Sequence, residues 1–417
     1  MCLLLFALPS FALLQAGVRD PVFERLQFHR WAPSSQSKMK WSVEVPPAEL
    51  STHQRLMFRV VTKIDGREVE KRRGEGELVA MLQITDSTGQ VWQNHTSLDL
   101  SNQTDARNRE FQITHYTFVQ PGDYAITIAL CDSSNLDHSV INRKIHVDPV
   151  KDEPLPHAFD GLPTVEFVPP TEGTPEVWFI PDIETKLNLP LRSNKRVQLR
   201  IVVNITPSER ALGSAVTLRR NMSLVIPAMK VLTSVQVAQG SVDVAMLDLE
   251  RHRVAFEQAN AAHPDWPGVG KVFKANNPAM VDVRTLANEW KMRGFFQEEV
   301  SRRLYAPLRQ DTIRVVIVLS GPAFFNQPSQ SLEEVTAVDP SRHLYYIRLR
   351  ALPVRYPRRN RPGRTPVPPR PVVVNTPMPP DDLERLAMGL NGKVFDATST
   401  EQFRRILATI LEQVARL

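Results

Sequence analysis

The chain has 417 residues, 42% hydrophobic and 23% charged, the balance of an ordinary folded protein long enough for two domains. Its formal charge of +6 is small for that length and gives no indication of nucleic-acid binding. Its 34 prolines predict linkers and irregular connections. Residues 1–17, MCLLLFALPSFALLQAG, carry an apolar run from Leu3 to Leu14, followed by Ala16 and Gly17. The run is shorter than the ~20 apolar residues of a membrane span, so it reads as the core of a signal peptide, although a positively charged start is missing. The mature chain is expected to be exported, periplasmic or extracellular. Cys2 falls in this segment, and Cys131 is then a lone cysteine. It reads as a small buried hydrophobe rather than a nucleophile.

Residues 18–39 read as a polar, irregular linker. From Trp41 the rhythm becomes period two: WSVEV (41–45), RLMFRVVT (55–62), LVAMLQIT (78–85), FQITHYTF (111–118), YAITIAL (124–130) and INRKIHV (141–147) all alternate. Turn signals such as DSTG (86–89) and QPGD (120–123) separate them. Short strands at this spacing predict a β-sandwich over 40–148. The stretch FVQPGDYAITIAL resembles the E–F corner of immunoglobulin-like domains, and the resemblance implies that Tyr124 bonds back to the backbone. Residues 149–195 are rich in proline and read as a connection, with one strand-like run at 177–180.

From Val197 strands and helices alternate. VQLRIVVNI (197–205) is continuously apolar, as a strand buried on both faces must be. A helix around 212–236, interrupted by Pro227, is followed by strands at 241–249 and 253–258 and a long helix at 281–304. Further strands lie at 312–321 and 343–351, and helices at 381–392 and 401–417 close the chain. The order predicts a three-layer α/β domain over 196–417 with a mostly parallel sheet. Residues 352–380 interrupt it with a Pro- and Arg-rich stretch that has no acidic residue before its end, read as an extended, exposed loop. Arg355, Arg358, Arg359, Arg361, Arg364 and Arg370 would let it contact an anionic surface.

The residues that carry a family resemblance are IVVNITPSER (201–210), Ser320-Gly321 at the end of an apolar strand, and LERLAMGLNGKVFDATSTEQFRRIL (383–407). Together they resemble a von Willebrand factor A-type domain, and most of all the divergent VWFA-related proteins exported by bacteria. That family holds Mg²⁺ with Asp-x-Ser-x-Ser after the first strand, plus a threonine and an aspartate from later loops. In this chain Asn204 stands for the aspartate, Thr206 for the first serine and Ser208 for the second. Ser320-Gly321 occupies the place of the later aspartate, and ANNPAM (275–280) offers no threonine. Neutral oxygens alone would hold Mg²⁺ weakly against its hydration shell, so the reading is a degenerate site, with no other cofactor expected. Alternatively, Thr206-Pro207-Ser208 simply begins a helix, capped by a hydroxyl, while Asn204 bonds a neighbouring loop.

No catalytic constellation emerges. GVGKVFK (268–274) lacks the first glycine and the hydroxyl residue of a phosphate loop, and neither H-E-x-x-H nor a nucleophile elbow before a helix occurs. Asp243 and Asp248 flank a strand, and Asp381-Asp382 begin a helix. The expectation is an exported, non-catalytic binding or adhesion module that recognises a protein or an envelope polymer. The rival expectations are a divergent envelope hydrolase on the α/β domain and a scaffold of an envelope assembly.

Overall fold

The computed structural model describes residues 18–33, 38–74, 76–101, 103, 106–168, 187–206, 214–275, 291–325, 339–350 and 380–417. The chain divides into two compact units that part near residue 188. The apolar N-terminal run, the strand-like run at 177–180 and the Pro/Arg-rich stretch lie outside the described residues.

The described residues of the first unit begin with two short helices, α1 (Pro21–Arg25) and α2 (Phe28–Trp31). This corrects the expectation of an irregular linker over 18–39. Asp20 caps α1 by accepting from the Val22 amide at 3.0 Å, and Phe23, Leu26, Phe28 and Trp31 are buried against Val79, Met81, Ala129 and Cys131. Four large apolar side chains within nine residues give this segment enough burial to fold onto the sheet, at ~1.5–3 kcal/mol each.

Among the described residues of this unit nine strands follow: β1 (Trp41–Glu44), β2 (Glu49–Leu50), β3 (Leu56–Asp65), β4 (Glu77–Asp86), β5 (Val91–Asp99), β6 (Glu110–Val119), β7 (Gly122–Asp132), β8 (His138–Val147) and β9 (Val165–Phe167). A short helix α3 (Gly66–Lys71) separates β3 from β4. One antiparallel sheet has the order β1-β3-β6-β9, with β2 on β3, and the other β5-β4-β7-β8. Phe58 and Val60 of the first sheet share a core with Leu82, Ile84, Ile126 and Ile128 of the second, so the two sheets face each other. The implied bond of Tyr124 is present, its hydroxyl donating to the Gln120 carbonyl at 2.8 Å. Strand β5 escaped sequence reading because Trp92 is its only fully buried residue. Of the two readings of this stretch, a linker or a packed connection, residues 149–168 take the packed one within this unit: Leu162 and Val165 are buried, and β9 pairs with β6.

The second unit contains β10 (Leu189–Leu191), β11 (Arg196–Asn204), α4 (Ser214–Thr233), β12 (Val235–Val237), β13 (Gly240–Asp248), β14 (Arg253–Gln258), α5 (Trp266–Ala275) and α6 (Met292–Tyr305). Then come β15 (Thr312–Ser320), β16 (Arg342–Leu349), α7 (Asp382–Gly389), β17 (Lys393–Ala397) and α8 (Thr400–Ala415). The main sheet has the order β14-β13-β11-β15-β16-β17, parallel except for the antiparallel edge strand β14. The result is a mixed α/β unit. Every residue of β15 is buried, which explains its apolar run Val315–Leu319. Val202, Val316, Val318, Leu344 and Tyr346 form one core with Phe296 and Val300 of α6 and Leu383 and Leu386 of α7. Alternation turns Ile201, Val203, Val315 and Ile317 to the opposite face, and α4 packs on β11, β15 and β16. Pro227 does not break α4, which instead ends at Thr233, where the chain turns into β12 to pair with β10.

Candidate functional site

The parallel register sets Val203 of β11 opposite Leu319 of β15, so the next residues, Asn204 and Ser320, meet at the C-terminal ends of the two central strands. The Asn204 amide Nδ2 donates to Ser320 Oγ at 2.9 Å, and both side chains are buried. Asn204 Oδ1 accepts from the Thr206 backbone N–H at 2.9 Å, a local turn that ends the strand. Thr206 Oγ1 in turn accepts from the Leu249 N–H at 2.7 Å, which ties the loop after β11 to the loop after β13. Thr206 therefore serves the neighbouring loop. Ser208 lies outside the described residues.

The contacts continue along the strand ends. The Ser320 hydroxyl donates to the Gly321 carbonyl at 2.6 Å. The Tyr346 hydroxyl, from β16, donates to Asp381 Oδ2 at 3.0 Å. Asp381 is fully buried and caps α7, its Oδ1 accepting from the Glu384 N–H at 2.7 Å. Arg348, also buried, lies 3.7 Å from Asp381 Oδ2 and donates to Glu384 at 2.7 Å and to Asp396 Oδ2 at 2.8 Å. Burial pushes the Asp381 carboxyl up and the Tyr346 phenol well up, while the Asp396 hydrogen bonds raise the Arg348 guanidinium. Sequence reading recognised Asp381 only as a helix cap. Its link to Tyr346 and Arg348 joins residues about 35 positions apart and has no sequence signature. At the end of β13, buried Asp248 pairs with Arg251 at 3.0 Å and Arg253 at 3.2 Å.

This donor set does not fit Mg²⁺. The Asn204, Thr206 and Ser320 oxygens are neutral and each already accepts a proton from the protein. Among the described residues no group of three or more His, Cys, Asp or Glu could hold a metal ion. The six arginines of the Pro/Arg-rich stretch lie outside the described residues.

The opposite end of the same strands is built differently. Arg200, Asp243, Glu257, Arg302 and Arg303 line a cleft of about 210 Å³. Arg200 donates to the Arg303 carbonyl, and Arg314 and Arg342 donate to carbonyls between Leu304 and Pro307, so these cations satisfy the C-terminus of α6. Cys131 is fully buried, and its thiol is pushed up to about 12, chiefly by desolvation. No described helix is long and apolar enough to cross a membrane.

The chain matches no family model and no curated protein. A structural-genomics target solved by X-ray crystallography aligns at 16% identity over 28% of this chain and 91% of its own, with a TM-score of 0.19. A Bordetella pertussis protein assigned as ApaA aligns at 16% identity over 27% of this chain and 97% of its own, with a TM-score of 0.18.

Proposed function

We propose that this protein is an exported, non-catalytic binding module. In this reading an immunoglobulin-like first unit is followed by a VWFA-related second unit that recognises a protein or envelope polymer through its strand-end loops. Open α/β sheets present ligands at the C-terminal ends of their strands, where the order of strands reverses. The observation that carries the reading is the closed, neutral Asn204–Ser320 pair at that place, with Phe324, 45% exposed, in the loop that follows. An edge that offers an aromatic side chain instead of a held cation suits contact without a metal bridge. The test is capture from an envelope extract by the immobilised mature chain, in EDTA and in Mg²⁺, beside the Phe324→Ser variant. A partner retained equally in EDTA and lost by the variant supports the reading. No captured partner, or capture that needs Mg²⁺ and ignores the variant, contradicts it.

A further inference from the structure

At one end of the first unit, β1 begins, β3 ends, and α3 and β6 begin. These four segments enclose a cleft of about 550 Å³. Its walls carry Lys40, Lys63, Arg67, Arg107 and Arg109 against only two carboxylates, Asp65 and Glu110. The two lysines are engaged, Lys40 with Asp65 at 3.2 Å and Lys63 with Glu44 at 2.6 Å. The three arginines are exposed, and among the described residues none of their guanidinium groups makes an ion pair or a hydrogen bond. Elsewhere in the same unit Arg55 is paired with Glu166 and Arg72 with Glu68.

The backbone segments that carry the arginines are held against one another. The Gly66 N–H donates to the Arg109 carbonyl at 2.9 Å. A Cβ on Gly66 would stand 1.8 Å from the Ala106 carbonyl oxygen, so only glycine lets α3 approach the turn that carries Arg107 and Arg109. Arg67 is thereby fixed beside that turn. Trp41, half buried and packed on the core, contributes an indole to the wall, with Ser42 and Asn108 beside it.

We propose that this cleft binds an acidic polysaccharide, a chain of sugar rings bearing carboxylates. Planar guanidinium groups pair carboxylates in bidentate fashion, and an indole covers the apolar face of a ring. Glu110 and Asn108 can accept from sugar hydroxyls. The phosphodiester backbone of DNA has no hydroxyl donors for Glu110 and Asn108. The proposal goes beyond the reading of the second unit and does not depend on it.

The probe is polygalacturonate titrated onto the full mature chain at low ionic strength, beside neutral dextran, single-stranded DNA and a Trp41→Phe variant. The expected result is salt-dependent binding of polygalacturonate but not dextran, with a tryptophan fluorescence change that Trp41→Phe abolishes. The triple variant Arg67→Gln, Arg107→Gln, Arg109→Gln should keep the wild-type unfolding midpoint, lose about tenfold or more in affinity and show a shallower salt slope. Arginines of the stretch 352–380 could hold a polyanion by themselves, so the triple variant decides. Affinity unchanged in that variant, no binding at low salt, or DNA bound as tightly as polygalacturonate would each overturn the proposal.

Discussion

Replacing Asn204 by aspartate puts a carboxylate at the buried end of β11, and the geometry predicts that it destabilises the second unit. The side chains are nearly isosteric, so packing is not the issue. The Nδ2–H that donates to Ser320 Oγ would become a carboxylate oxygen facing that hydroxyl. The Ser320 hydroxyl already donates to the Gly321 carbonyl at 2.6 Å, and turning it to the new carboxylate would leave that carbonyl only the long 3.4 Å contact from the Tyr346 hydroxyl. The cations at the strand ends are already engaged, Arg348 with Asp396 and Glu384, and Arg251 and Arg253 with Asp248. The new charge would keep the Thr206 N–H but be buried without a countercharge, at a cost of about 3–5 kcal/mol. Asn204→Ala, which only strands hydrogen-bonding groups, should cost about 1–3 kcal/mol. For a unit of this size the aspartate variant should melt about 6–20 °C lower. The new carboxylate's native pKa would lie above its unfolded value of about 3.9, so the native state binds the extra proton. The penalty is therefore full above the native pKa and fades as pH falls towards about 4. Thermal unfolding in EDTA, followed by circular dichroism, should rank wild type above Asn204→Ala and that above Asn204→Asp at neutral pH, with the gap closing in acid. An aspartate variant as stable as wild type at neutral pH without metal would refute the reasoning, because it would require a countercharge at the strand ends.

Three further outcomes are expected. His115, buried between the sheets, has its pKa lowered to about 4 by desolvation, so the unfolded chain takes up the proton first. Stability should fall by about 3 kcal/mol as pH drops from about 6.5 to 4, and His115→Leu should flatten that limb in denaturant titrations. Cys131, buried and with a thiol pushed up to about 12, should resist iodoacetamide in the native chain and react once unfolded, as mass spectrometry would read. Gly66→Ala should cost about 1–3 kcal/mol by overpacking against the Ala106 carbonyl, measured from the denaturation midpoint.

Much of the architecture is legible in the sequence because single-element periodicity encodes it. The alternation of 55–62 and the apolar run of 315–319 each specify one strand and its burial. The contact of Asn204 with Ser320 was foreseeable too, since each ends an apolar strand of one sheet. Elements whose stability comes from a neighbour were not legible. Helices α1 and α2 exist because Val79, Met81, Ala129 and Cys131 offer them a surface, and β5 turns only Trp92 fully inward. The network through Tyr346, Asp381 and Arg348 and the cleft of Arg67, Arg107 and Arg109 assemble residues from separate segments. No local pattern marks such assemblies.

The central claim is that the strand-end site is closed by its own side chains and needs no cation. Its most direct test is thermal unfolding of the wild-type chain in EDTA and then in millimolar Mg²⁺, Mn²⁺ or Ca²⁺. A cation bound only by the folded state, at about 100 times its Kd, would stabilise it by about 2.7 kcal/mol. The account predicts an unchanged midpoint with all three ions. A rise that disappears in Asn204→Ala would contradict it and make metal-bridged contact the mechanism of this face.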